Sequence, residues 1–197
     1  MIGRRALIAT VLAASASGCA AVHKTDILRK DVLTDAQEAI ATAELDHGGL
    51  TVAGSVDRAD TTYDPDQPIT LRVQTNKNAY VAIFRVLGSG ETTLLFPNRG
   101  HRKAAITANS VLTVPAPDDA VKIVADKPGI VLFEFVASTA GDAWPFNRAP
   151  DDGSDFAALG TTTRALAKDL LDGLKVGSGH ETAAAYVTVR INGGGLF

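Results

Sequence analysis

From Leu50 onward the chain breaks into short apolar runs, each closed by Gly, Pro, Asn or Asp, and this punctuation most constrains the fold. Leu50, Val52, Gly54 and Val56 alternate with Thr51, Ala53 and Ser55, the period of a strand with one face buried. Ile69, Leu71 and Val73 alternate in the same way after the turn cluster Tyr63-Asp64-Pro65-Asp66-Gln67-Pro68. Ala79 to Val86 is a third strand, and Gly88-Ser89-Gly90-Glu91 is a hairpin loop leading into Thr92 to Phe96. Val111 to Val114, Val121 to Val124 and Gly129 to Ser138 continue the series. Strands of this length and spacing predict an antiparallel β-sandwich.

Beyond Trp144 the pattern loosens. Asn147 to Asp155 is polar and contains Pro and Gly, as in a loop. Thr163 to Lys175 carries Leu166, Leu170, Leu171 and Leu174 at helical spacing, with Gly177 as a stop. Thr182 to Ile191 returns to alternation and is expected to close one sheet edge. The expected domain therefore spans residues 49–192, a mainly β sandwich with one C-terminal helix as its cap. A five-residue tail follows at 193–197.

The N-terminus has a different character. Arg4 and Arg5 precede the apolar stretch Ala6 to Ala16, which is too short for a permanent membrane span, and Ala16-Ser17-Gly18-Cys19 closes it with small residues before a thiol. This segment resembles a bacterial lipobox, which implies cleavage after Gly18 and a diacylglyceryl thioether on Cys19. Ala16 stands where leucine is usual; the alternative is an ordinary signal peptide cut after Ser15-Ala16-Ser17. Cys19 is the sole cysteine, so it has no disulfide partner within the chain. Ala20, rather than an aspartate, follows it, a pattern that resembles outer-membrane sorting with the domain facing the periplasm. Residues 19–48 then read as the lipidated cysteine and a tether, helical or extended. Within it, Thr34-Asp35-Ala36-Gln37 matches a capping box ahead of Ile40 and Ala43. Residues 20–48 would reach about 43 Å as helix and roughly 100 Å fully extended.

Removing residues 1–18 takes two of the 19 basic residues and none of the 22 acidic ones, leaving a net charge of −5. An acidic domain is poorly suited to nucleic acid, whose phosphates call for clustered Lys and Arg, so no nucleic-acid partner is expected. The hydrophobic fraction of 46% is that of a folded domain rather than a disordered one.

Chemistry-bearing clusters are few. Arg99, His101, Arg102 and Lys103 form the one basic cluster, placed just after a strand end, and could meet lipid head groups or an acidic partner face. Trp144-Pro145-Phe146 places two aromatics around a proline. Exposed, Trp144 and Phe146 would anchor a protein contact; buried, they would plug the bottom of the sandwich. Asp151-Asp152-Gly153-Ser154-Asp155 is rich in oxygen ligands but lacks the EF-hand order. The four histidines are scattered and no second cysteine exists, so no metal site and no cofactor are expected. No Gly-x-Ser-x-Gly, Ser-x-x-Lys or His-Glu-x-x-His occurs, and Ser178 near His180 is a weak nucleophile–base pair among glycines. Catalysis is not expected.

Ala79-Tyr80-Val81-Ala82-Ile83-Phe84, the hairpin at 88–91 and Leu94-Leu95-Phe96-Pro97-Asn98 together resemble a bacterial extracytoplasmic domain of unknown function. Its mark is a Leu-Phe-Pro-Asn box after a Tyr-bearing strand. The resemblance runs over roughly residues 55–140 and includes the Tyr63–Leu71 opening, Ala108-Asn109-Ser110 with Val111–Pro115, and Pro128-Gly129. It implies an Ig-like sandwich of the kind found in lipoproteins and behind kinase-like or caspase-like modules, with no catalytic residue to carry over. Asp66 and Asn109 stand where glycine is common in that family, so those turns are expected to be built differently. Within the box, Leu94 and Phe96 are expected to share a core face, Pro97 to end the strand and Asn98 to start the turn.

These readings converge on a non-catalytic, membrane-anchored binding or accessory subunit of a cell-envelope assembly, such as secretion or surface-structure machinery, with an envelope protein as partner. The alternatives are a small-ligand or glycan-binding envelope sensor and a cryptic hydrolase.

Overall fold

The computed structural model describes residues 33–142, 144–147, 150, 152–174 and 179–193. The expected signal segment with Gly18, Cys19 and the first part of the expected tether lie outside them. Two sheets and two helices make three layers. Strands β1 (Val52–Val56), β3 (Leu71–Thr75) and β7 (Val111–Val114) form a small antiparallel sheet in the order β1-β3-β7. The larger sheet runs β2 (Thr62–Tyr63), β10 (Thr182–Ile191), β8 (Gly129–Ser138), β4 (Ala79–Leu87), β5 (Thr92–Phe96), β9 (Ala157–Leu159), with β6 (Ala105–Ile106) also on β4. Helices α1 (Asp35–Ala41) and α2 (Thr163–Gly173) pack against each other over its outer face. The expected mainly β sandwich with a C-terminal helix is what the chain forms.

Burial follows from this layering. The two sheets meet where Gly54 of β1 lies under the Phe135 ring of β8: a β-carbon on Gly54 would sit 2.2 Å from two ring carbons. Phe133, Arg85 and Ile83 share that inner face by register. The opposite face of the large sheet carries Phe84, Tyr80 and Glu134 beneath the helices and the Trp144 segment. With both faces covered, β4, β5 and most of β8 are buried almost without alternation. Each buried Phe, Leu or Ile contributes about 1.5–3 kcal/mol to the core.

The second half of the expected tether docks on the body of the domain. The capping box forms, with the Thr34 hydroxyl accepting from the Gln37 N–H and Gln37 Oε1 accepting from the Thr34 N–H at 3.2 Å. Gln37 is fully buried, and its Nε2 donates to the carbonyls of Val86 (3.1 Å) and Ile130 (2.9 Å). Ile40 and Leu45 are fully buried too, and His47 bridges Thr182 at the start of β10. The thin apolar stripe suffices because Gln37 supplies polar anchoring that a hydrophobic pattern does not register. Residues 34–48 thus belong to the domain.

Other departures have equally local causes. β10 does not close an edge: it lies between β8 and β2, and its pairing with β2 is parallel. Val121 to Val124 contributes only a bridge, Ile123 to Ile69. Two-residue strands β2 and β6 and three-residue β9 were too short to read. Asp66 and Asn109 adopt φ of 62° and 61°, so these turns keep the left-handed backbone that glycine favours; Asp and Asn enter that region more readily than other side-chain-bearing residues. A bulge at Leu95 places Leu94 opposite Phe84 and Phe96 opposite Ile83. Neighbours on β4 point to opposite faces, so Leu94 and Phe96 do not share one.

A polar lock fixes the first corner. The buried Tyr63 hydroxyl donates to Asp57 Oδ1 at 2.8 Å, and the Thr70 N–H donates to the same oxygen at 2.9 Å. Burial pushes the Asp57 carboxyl up, but the Thr70 and Tyr63 donors outweigh it and hold the group below its ordinary value. Burial, followed by the bond to Asp57 and its charge, pushes the Tyr63 phenol well up.

Candidate functional site

The Leu-Phe-Pro-Asn box ends β5 and builds the loop that carries the basic cluster. Asn98 is buried; its side-chain amide donates to the Leu95 carbonyl at 3.1 Å and its Oδ1 accepts from the His101 N–H at 2.8 Å. Its own N–H bonds the His101 carbonyl at 3.0 Å. Asn98 therefore holds the 98–101 turn closed from inside, and the following side chains are turned outward: Arg99, His101, Arg102 and Lys103 are all exposed.

The basic and acidic segments of the sequence prove to be one structure. Arg99 Nη2 lies 2.8 Å from Asp155 Oδ1, and Nη1 donates to the Gly153 carbonyl at 2.8 Å. His101 Nδ1 stands 3.4 Å from Asp119 Oδ2, and Arg102 Nη2 reaches the Pro150 carbonyl at 3.5 Å. Asp152 Oδ1 accepts from both the N–H and the hydroxyl of Ser154; those bonds hold its carboxyl below the ordinary value. The acidic loop is thus directed at Arg99 and at its own serine rather than converging on a common centre. Asp151 and Ser178 lie outside the described residues, and among the described residues no group of three or more metal-ligating side chains occurs.

Trp144 and Phe146 sit away from the bottom of the sandwich. They cover the outer face of the large sheet, the Trp144 ring 6.1 Å from Phe84 and the buried Phe146 ring 6.3 Å from Tyr80, centroid to centroid. Trp144 is half-buried and forms one wall of an open groove of about 520 Å³, completed by Leu159 of β9, Thr161, and Asp169 and Asp172 of α2. β9 therefore connects the two contact candidates: Asp155, the partner of Arg99, stands two residues before it, and the Trp144 groove flanks it. The residues on either side stand out in the sequence, whereas the three-residue strand that joins them does not.

Two charges are set in apolar strands, Arg85 in β4 and Glu134 in β8. Their signal was a lone charge inside an otherwise continuous apolar run. Glu134 is buried on the helix side, where burial and its charge push the facing Tyr186 phenol up. Arg85 lies on the opposite face.

Residues 62–140 match the family model of a domain of unknown function (DUF4384). The matched stretch runs from β2 to the end of β8, contains the Leu94–Asn98 box, and leaves out α1, β1, β9, α2 and β10. No curated protein matches the chain, and no solved structure does.

Proposed function

We propose that this protein is a lipid-anchored accessory or binding subunit of a bacterial cell-envelope assembly, held in the outer membrane and facing the periplasm. The observation that carries the reading is Ala16-Ser17-Gly18-Cys19 at the end of a short apolar segment, with Cys19 the only thiol in the chain. Acylation at Cys19 would add about 0.8 kcal/mol per buried methylene, enough for firm attachment when several chains share one residue. Anchoring raises the local concentration of the domain beside its partner without any new contact. The contact surface proposed is the β9 margin, with Arg99 and Lys103 at one end and the half-buried Trp144 along its side. Two classes of contact then serve one partner: a ring that can be desolvated and cations that steer approach. The proposal gives the protein no catalytic step.

Fractionation of cells making the full chain tests the anchor. Wild type is expected in the membrane fraction and Cys19→Ser in the soluble periplasmic fraction; unchanged membrane partition of Cys19→Ser rejects it. Crosslinking in intact envelope tests the partner. One specific protein should be recovered with wild type and lost with Trp144→Ala, whereas recovery of the bait alone counts against the assembly role.

A further inference from the structure

A second concavity, of about 330 Å³, opens on the side of the molecule where β4 meets the segment after Ile123. Its lining includes Arg85, Leu87, Glu91, Val124, Asp126 and Lys127. Arg85 projects from the face of β4 that is turned toward the small sheet and is only partly accessible. Its guanidinium is fixed at two points: Nη1 donates to the Val124 carbonyl at 3.0 Å and Nη2 to Thr93 Oγ1 at 3.2 Å. A guanidinium has five N–H donors, so three remain without an acceptor among the described residues, and the Nε is buried with none. No carboxylate of the described residues lies within ion-pair distance of it. A half-buried cation held in place by neutral acceptors leaves unmet both charge and donors, which a carboxylate satisfies well.

The rim narrows the class. Glu91 and Asp126 are exposed acids at the mouth, with Lys127 beside them. A simple anion entering the pocket would pass two like charges, whereas a ligand carrying an ammonium next to its carboxylate would complement both floor and rim. Leu87 and Val124 supply apolar wall for a side chain. We infer that this pocket receives a small zwitterion of the α-amino acid class, its carboxylate on Arg85 and its ammonium toward Glu91 and Asp126. This site is separate from the β9 margin and does not depend on the accessory-subunit reading.

The test is an NMR titration of the full chain in detergent with labelled arginine, following the Arg85 Nε–H signal. The probes are L-leucine, L-leucine methyl ester, which lacks the carboxylate, and 4-methylpentanoate, which lacks the ammonium. L-leucine should shift the signal saturably, 4-methylpentanoate should bind severalfold more weakly, and the ester should leave Arg85 unmoved. Arg85→Gln should weaken L-leucine about tenfold or more. Glu91→Gln changes an exposed loop side chain and keeps the fold; it should weaken L-leucine while sparing 4-methylpentanoate. An Arg85 signal indifferent to L-leucine overturns the inference, as does an ester that shifts it equally or a Glu91→Gln variant that binds L-leucine unchanged.

Discussion

Replacing Gly54 with alanine tests whether the two sheets are as closely apposed as the Phe135 contact requires. The added methyl would sit 2.2 Å from two ring carbons and 2.7 Å from a third, and Phe135 has no exposed surface into which to swing. Gly54 lacks a positive φ, so the backbone itself accepts alanine. Forcing a methyl into a filled core costs about 1–3 kcal/mol, and the lower chain entropy of alanine in the unfolded state returns about 0.4–1 kcal/mol. Gly54→Ala should therefore destabilise by about 1–2 kcal/mol. For a chain of this size that lowers Tm by about 2–8 °C. Phe135→Leu alone should also destabilise, through lost ring contacts. In the double variant the leucine makes room for the methyl, so the two effects should fall short of their sum by about 1 kcal/mol. Calorimetry on the four proteins supplies the cycle. A Gly54→Ala variant that melts at or above wild type refutes the packing argument, and so do strictly additive effects.

Two further outcomes rest on polar contacts. Asp57 has a lowered folded-state pKa, so its ionised form contributes stability that is fully present above the unfolded carboxylate value and is lost as pH falls through the folded one. Asp57→Asn keeps an acceptor for Tyr63 and removes the charge; the stability gap to wild type in urea melts should be present at neutral pH and close below about pH 4, and a gap that persists in acid contradicts the lock. Gln37→Ala strands the carbonyls of Val86 and Ile130 and should cost about 1–3 kcal/mol; hydrogen exchange should show α1 opening before the sheets, and unchanged protection of α1 would deny Gln37 its anchoring role.

The long strands and α2 were legible because each has one dominant signal, a period or a run bounded by turn residues. β5, β7, β8 and β10 begin and end where those signals do. The third layer was written there too, less plainly: the apolar runs of β4 and β8, each broken by a single charge, are what a strand covered on both faces looks like, whereas β3 alternates. What could not be read was pairing at a distance. Arg99 and Asp155 are 56 positions apart and each looks solvated alone. The docking of α1 rests on one glutamine reaching two carbonyls of different strands, which leaves no trace in hydropathy. The Leu95 bulge is likewise invisible, because one extra residue in the apolar run Leu94-Leu95-Phe96 changes direction without changing composition.

The docking of α1 also sets the direction in which the domain points. Under the proposed anchoring, the leash runs from Cys19 only as far as Leu33, fourteen residue steps, and cannot exceed about 50 Å. It joins the body beside the 88–91 hairpin, where the Thr34 methyl and the Ala36 side chain lie against Gly88 and Gly90. β5 starts at that end and runs away from it for five residues, about 17 Å, before releasing the basic loop. Arg99, His101, Arg102 and Lys103 thus occupy the pole remote from the attachment point. Under that anchoring, attachment at the opposite end favours Arg99, Arg102 and Lys103 facing a partner away from the anchoring membrane over facing its head groups.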